Sequence, residues 1–183
     1  MGERRERIIE ATVELAEKGG FEAVRLRDVA SHSGVALGTV YRNFSSKEDL
    51  LVGALSREMV LLQKAIRRRR PKGDTPLERA NAFFRAANRG VLSRPNFARA
   101  VIRALATGNP EMHEATASFH DGNAALIAEC IVGRGGISER DQQIAAILQN
   151  VWFASLVGWT GGLHDPKAVL AQVDEAAGLL VEG

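Results

Sequence analysis

At 183 residues, 45% of them hydrophobic and 25% charged, the chain can bury a sizeable core in one large or two small domains. A single cysteine, Cys130, excludes an internal disulfide, and the longest apolar runs, such as AALIAECIV, are too short to span a bilayer. The net charge of +2 hides an asymmetry: residues 1–72 hold 15 Lys and Arg against 10 Asp and Glu, and residues 73–183 hold 9 against 12.

A basic front suggests a polyanionic partner. Residues 1–50 alone, however, carry 8 cations and 9 anions, and the excess comes largely from RRRR at 67–70. The placement of particular cations therefore matters more than bulk charge. The N-terminal MGERRERIIEA lacks the apolar core of a signal peptide, so a cytoplasmic location is expected.

Apolar residues recur at helical spacing almost throughout, and no segment alternates as a strand does, which predicts an all-α fold of about nine helices. The first runs from about Glu3 to Lys18, burying Ile8, Thr12, Leu15 and Ala16, and ends at KGG. A second covers Leu26 to Ser33, SGV turns the chain, and a short third follows from Leu37 to Phe44. Ser45 and Glu48 have capping-box spacing for a fourth helix reaching about Arg70. Thr75-Pro76-Leu77-Glu78 restarts a helix, with a cap, Pro at the first position and an acid three residues on. Pro95, Asn109-Pro110, Ser138 and Asp165-Pro166 mark further starts.

A helix, a tight turn containing glycine and a short second helix make a helix-turn-helix. Ala30 is small where the two helices approach, Gly34 can take positive φ in the turn, and Val29, Val35, Val40 and Phe44 form the buried side. The polar side chains are then free to enter a major groove. Arg42 can pair with guanine O6 and N7, Asn43 with adenine or a phosphate, and Thr39 and Tyr41 with phosphates or a thymine methyl. Lys47 and Arg27, each at a helix start, suit phosphates. Leu37 and Gly38 complete the expected DNA-facing set.

The stretch FEAVRLRDVASHSGVALGTVYRNFSSKEDLL resembles the N-terminal domain of the tetracycline-repressor (TetR) family, through Gly20-Phe21, RDVA at 27–30, GVALGTVYRNF at 34–44 and SKEDLL at 46–51. The resemblance covers roughly residues 5–52. It implies a DNA-binding domain over 1–50, a helical ligand-binding and dimerisation domain over 51–183, and a homodimer on a pseudo-palindromic double-stranded operator. Tyr41 matches the family's phosphate-contacting position; Arg42 and Asn43 stand where the family varies.

The resemblance also implies that the last two helices pair with their copies in a four-helix bundle. Ile144, Leu148, Val151, Ser155 and Trp159 recur at helical spacing on one, and Val169, Val173, Ala177 and Leu180 on the other; these are the expected dimer residues. For an apolar effector, the middle helices offer Leu62, Phe84, Val91, Phe97, Ile102, Met112, Phe119, Leu126, Trp152 and Leu156, with Asn88, His120 and Asn123 as polar handles. KGGFEAVRLRDVA, VALGTVYRNFSSKEDLLVGALSREM and NVWFASLVGW are similar to the KstR-type repressors of cholesterol catabolism, which would imply a steroid acid or its coenzyme A thioester as effector. Arg67–Arg70 reads first as the solvated basic end of the fourth helix, with pairing to coenzyme A phosphates as the alternative.

Enzyme chemistry is not expected. His32, His113, His120 and His164 are scattered, GRGG at 133–136 lacks the Lys-Ser/Thr of a phosphate loop, and Cys130 sits in an apolar helix. No cofactor or metal is implied. The competing reading is a helical lipid or acyl-CoA carrier without DNA function, which would leave the polar face of the third helix without a use.

Overall fold

A computed structural model describes residues 2–106 and 113–181, except the side chains of 113–116, 118 and 119. Among these residues there are nine helices and no strand: α1 (Glu3–Ala23), α2 (Leu26–Ser33), α3 (Leu37–Asn43), α4 (Lys47–Arg68), α5 (Pro76–Ser93), α6 (Pro95–Ala106), α7 (His113–Val132), α8 (Glu139–Thr160) and α9 (Pro166–Val181). None of the described helices is long and apolar enough to cross a membrane. The start expected at Asn109-Pro110 lies outside the described residues.

Local signals account for most boundaries. The regular part of α1 stops at KGG, where Gly19 and Gly20 leave helical geometry and Gly20 takes φ 66°. Thr75 Oγ1 accepts from the Glu78 N–H at 3.1 Å while Glu78 Oε2 accepts from the Thr75 N–H, closing the expected capping box. Ser138 and Asp141 form another at α8, and Asp165 Oδ1 accepts from the N–H groups of Lys167 and Ala168 at α9. At α4 the box is displaced by one residue from the expected Ser45 and Glu48. Ser46 Oγ accepts from the Asp49 N–H, and Asp49 Oδ2 takes the Ser45 N–H. Tandem serines followed by tandem acids offer two registers, and the helix starting at Lys47 selects the second.

The chain forms two compact units that interleave in sequence. The first holds α1–α3, the front of α4 to Val60, and α6; the second holds the rest of α4, α5, α7 from Ala117, α8 and α9. This differs from the contiguous division at residue 50, because α6 lays its apolar face on α1. Phe97, Ala100, Val101 and Ala104 join Ile8, Ile9, Ala16, Val29, Val40, Phe44 and Leu50 in one core cluster. Glu17 of α1 reinforces the joint, its Oε2 accepting from the N–H groups of Asn96 and Phe97 at 3.1 and 3.0 Å, where α6 has unpaired donors. Arg57 ties α4 to α1 through Glu6 at 2.7 Å and also pairs with Glu58, which in turn meets Arg94 beside α6.

In the second unit α9 packs against both α5 and α8. Arg70 donates to the Gly133 carbonyl at 2.8 Å and Arg79 to that of Ile131 at 2.9 Å, so two cations cap the carbonyl end of α7. Arg67 pairs with Glu129 at 3.4 Å. Two of the four arginines in the 67–70 run thus have partners on or just beyond α7.

The Ser138–Asp141 box makes a pH-dependent contribution. Hydrogen bonds from the Ser138 side chain and backbone lower the Asp141 pKa, so the folded value lies below the unfolded one. Its stabilisation is present above the ordinary aspartate range and is lost as pH falls through the folded value. Asp141→Asn should cost about 0.5–1 kcal/mol near neutral pH, with the difference from the unaltered protein narrowing in acid; thermal melts across pH check this.

Candidate nucleic-acid interface and ligand core

The short third helix is held from both ends. Gly34 closes α2 at φ 65°, and the Val35 N–H reaches back to the Ala30 carbonyl at 3.1 Å, a Schellman-type closure that fixes the turn. Val40 is fully buried, and Phe44, just past α3, is 2% exposed. The Phe44 ring fills a notch at Gly53, where an added Cβ would lie 2.7 Å from the ring. Ala30 and Val29 are buried beneath, and Val35 and Leu37 pack partly against the same cluster.

With that side anchored, the opposite side faces water. Tyr41 is 59% exposed, and Arg42, Asn43 and Gly38 are exposed, as is Arg27 on α2. Thr39 is half-buried and organises its neighbours: Arg42 Nη2 donates to Thr39 Oγ1 at 3.0 Å, and Asn43 Nδ2 donates to the Thr39 carbonyl at 2.8 Å. Lys47 is half-buried, its Nζ 3.9 Å from the Phe21 ring centroid and 3.5 Å from Glu22. A Cβ at Gly38 would meet nothing within 4 Å, as at Gly90 of α5 and Gly178 of α9, so no packing among the described residues requires glycine in this helix, where it costs about 1 kcal/mol relative to alanine.

The expected ligand residues divide. Phe84, Asn88, Asn123, Leu126, Trp152 and Leu156 are all buried in the second unit, with Phe84 and Trp152 ring centroids 5.9 Å apart. Leu62 and Val91 are half-buried there. Phe97 and Ile102 belong instead to the first unit, Phe97 inside its core cluster, because α6 packs on α1. Met112 and the Phe119 side chain lie outside the described residues. A cleft of about 490 Å³ on the first unit, lined by Glu10, Glu14, Glu17, Lys18, Arg57 and Arg94 with Val13, contains none of the expected ligand residues.

The polar handles also divide. The His120 ring is hydrogen-bonded to Asn150 Oδ1 at 2.9 Å, whereas Asn88 Oδ1, Asn123 Oδ1 and Trp152 Nε1 are buried without a partner among the described residues. Leaving such an atom unpaired costs about 1–3 kcal/mol. Gln149, which the sequence reading missed, is 3% exposed; it accepts from Asn123 Nδ2 at 2.9 Å and donates to the His120 carbonyl at 3.1 Å. An amide three residues before Trp152, within an apolar stretch of α8, is the signal that could have found it.

The expected dimer residues differ in burial within the chain. Ile144, Leu148, Ser155 and Trp159 of α8 and Val169, Val173 and Ala177 of α9 are buried within the single chain. Only Val151 and Leu180 are half-buried. Each helix has one stripe for its own subunit and another facing outward, and helical spacing alone does not distinguish them. The outward apolar side chains are Ile147, Phe153 and Val157 of α8 and Leu179 of α9, the last 75% exposed.

Burial and the neighbouring Glu129 charge push the Cys130 thiol up to about 11, so it is protonated and unreactive at neutral pH. Among the described residues no three His, Cys, Asp or Glu side chains group as metal ligands.

Comparison with known proteins bears on both units. Residues 8–54 match the family model described as bacterial regulatory proteins, tetR family, and residues 73–180 match the tetracyclin repressor-like C-terminal domain. The HTH-type transcriptional repressor KstR of Mycolicibacterium smegmatis is 33% identical over 98% of this chain and 87% of its own length. A TetR transcriptional regulator from Rhodococcus sp. RHA1 has a similar fold, with a TM-score of 0.86 at 24% identity over 97% of this chain and 95% of that one. Thermus thermophilus FadR, a TetR-family repressor crystallised with lauroyl-CoA, gives a TM-score of 0.77 at 22% identity over 98% and 94%. The chain belongs to the TetR family of bacterial transcriptional regulators, and within it resembles the KstR repressors along nearly its whole length.

Proposed function

We propose that the protein is a homodimeric, cytoplasmic repressor whose α3 reads the major groove of a pseudo-palindromic operator and which a large apolar effector releases. The observation that carries the DNA reading is α3 itself, anchored by Val40 and Phe44 and presenting Tyr41, Arg42 and Asn43 to water. Tyr41, Lys47 and Arg27 serve as backbone contacts, and Arg42 and Asn43 as base contacts. Gly38 leaves room for close approach of a nucleic-acid backbone. Leu37 positions the start of the helix.

The effector site belongs to the second unit. Its support is the apolar set around Phe84, Leu126, Trp152 and Leu156, together with the Asn88, Asn123 and Trp152 atoms that have no partner among the described residues. These neutral donors and acceptors suit a large apolar molecule with uncharged oxygen functions. A neutral steroid, or the steroid body of a coenzyme A thioester, meets that description, the thioester's charged phosphates then lying outside this apolar set; the lauroyl-CoA held by the Thermus relative is likewise a coenzyme A thioester. A ligand that favours one conformation of the dimer while the operator favours the other lowers operator affinity.

Fluorescence anisotropy of the protein on a duplex from upstream of its own gene, with salt titrated, tests the proposal. Tight, salt-dependent binding that exceeds binding to random DNA is expected, with release by a steroid coenzyme A thioester. Binding without release refutes that effector alone. Absence of salt-sensitive binding to any duplex refutes the repressor and favours a carrier.

Particular residues separate the roles. Tyr41→Ala should weaken binding to all sequences alike, whereas Arg42→Ala should relax preference at one base position by about 1–3 kcal/mol. Equal losses for Arg42→Ala on operator and random duplexes would remove its base-reading role. Gly38→Ala should raise the melting temperature, since alanine is the better helix former, and still lower DNA affinity; unchanged affinity would contradict close approach there. Val157→Glu on the outward face of α8 should shift sedimentation toward monomer while helix content by circular dichroism is kept. A dimer that persists would place the seam elsewhere.

A further inference from the structure

The end of α1 carries a charge cluster separate from the α2–α3 reading surface. Gly20, at φ 66° and ψ −160°, takes a backbone conformation nearly closed to residues with a side chain. The turn it makes sends Phe21 into the core, 8% exposed, and leaves Glu22 in water. Two cations from distant elements converge on this pair. Lys47, the first residue of α4, places Nζ 3.9 Å from the Phe21 ring centroid and 3.5 Å from Glu22 Oε2. Arg103, near the end of α6, places Cζ 4.3 Å from the same centroid and Nη2 3.0 Å from Glu22 Oε1.

The carboxylate is thus divided, one oxygen to each cation, and the shorter contact belongs to Arg103. The two cations share one aromatic ring, and the anion between them offsets their mutual repulsion. The arrangement matters for DNA because a phosphate approaching Lys47 competes with the Glu22 carboxylate for the same ammonium. If Glu22 were held by Lys47 alone, exchange would leave a bare carboxylate beside a polyanion. Arg103 supplies a second partner on which that carboxylate can remain.

We propose that Glu22 is a displaceable counter-ion for Lys47, and that Arg103 is a positioning residue that retains Glu22 when a DNA phosphate takes its place. The proposal rests on the reading of Lys47 as a phosphate contact. It gives α6, through Arg103, a direct electrostatic influence on DNA affinity, distinct from its packing on α1.

The test is a set of coupled variants measured by anisotropy at low salt on one duplex of about 30 base pairs, long enough for two half-sites a helical turn apart. Glu22→Gln should tighten binding about two- to fivefold, the range of an exposed ion pair. In a Lys47→Met background that gain should disappear. Arg103→Met should weaken binding by a similar factor in the unaltered protein and have little effect once Glu22 is Gln. An equal Arg103→Met loss in both backgrounds would make Arg103 an independent phosphate ligand and overturn the proposal. A Glu22→Gln gain that survives Lys47→Met would overturn it too, as the general effect of removing a negative charge near DNA. Glu22 and Lys47 both reach solvent, so their arm of the cycle decides even where Arg103→Met fails to fold. If the unaltered protein shows no salt-sensitive DNA binding, the reading of Lys47 fails first and this proposal falls with it.

Discussion

The burial of Val40 and Phe44 is the constraint on which the rest of the molecule depends. A helix of seven residues is far below the length that is stable alone in water, so α3 exists because its neighbours hold it. Burying a valine and a phenylalanine contributes about 1.5–3 kcal/mol each, enough to fix the orientation of a two-turn element. Once those two side chains point inward, helical geometry leaves Tyr41, Arg42 and Asn43 pointing out. The exposed polar side of α3 is a consequence of the anchor. The same cluster extends through Phe97, Val101 and Ala104 to α6, so the core that holds α3 includes a segment more than fifty residues further along the chain.

The second unit follows a different logic. Its interior contains amides and an indole N–H that the described residues leave partly unpaired, at a cost to stability. Gln149 holds one of them, Asn123, in a fixed orientation by bonding both its side chain and the backbone of α7 at His120. A core built only for stability would replace such groups by aliphatic ones. Their retention is consistent with a core that exchanges some stability for recognition of a bound molecule. The buried polar side chains of the first unit, Thr12 and Ser33, are hydroxyls bonded to the Ile8 and Val29 carbonyls one turn back, whereas those of the second unit include amides.

Much of this was legible in the sequence because the signals were local. Caps at Thr75, Ser138 and Asp165, the glycines ending α1 and α2, and the small-turn-apolar spacing of Ala30, Gly34 and Val40 each act within a few residues. Degenerate local patterns were less secure: Ser45-Ser46 followed by Glu48-Asp49 admits two capping registers, and only the placement of α4 selects one. Nonlocal choices were not legible. Nothing in the spacing of Phe97 and Ile102 says that α6 packs on α1, and the buried stripe of α8 has the same period as its outward stripe with Ile147 and Val157. The polar candidates Asn88 and Asn123 were recognisable as amides among apolar neighbours, whereas His120 needed the structure to show that Asn150 already satisfies it.

The most direct test of the central claim, that the outward side of α3 is where this protein meets DNA, is hydrogen–deuterium exchange of the free protein against a saturating upstream duplex at low salt. New protection is expected in peptides covering Leu37–Phe44, the start of α4 at Lys47 and the start of α2 at Arg27, with α8 and α9 unchanged by DNA. Protection concentrated in the second unit, with α3 exchanging as it does in the free protein, would contradict it.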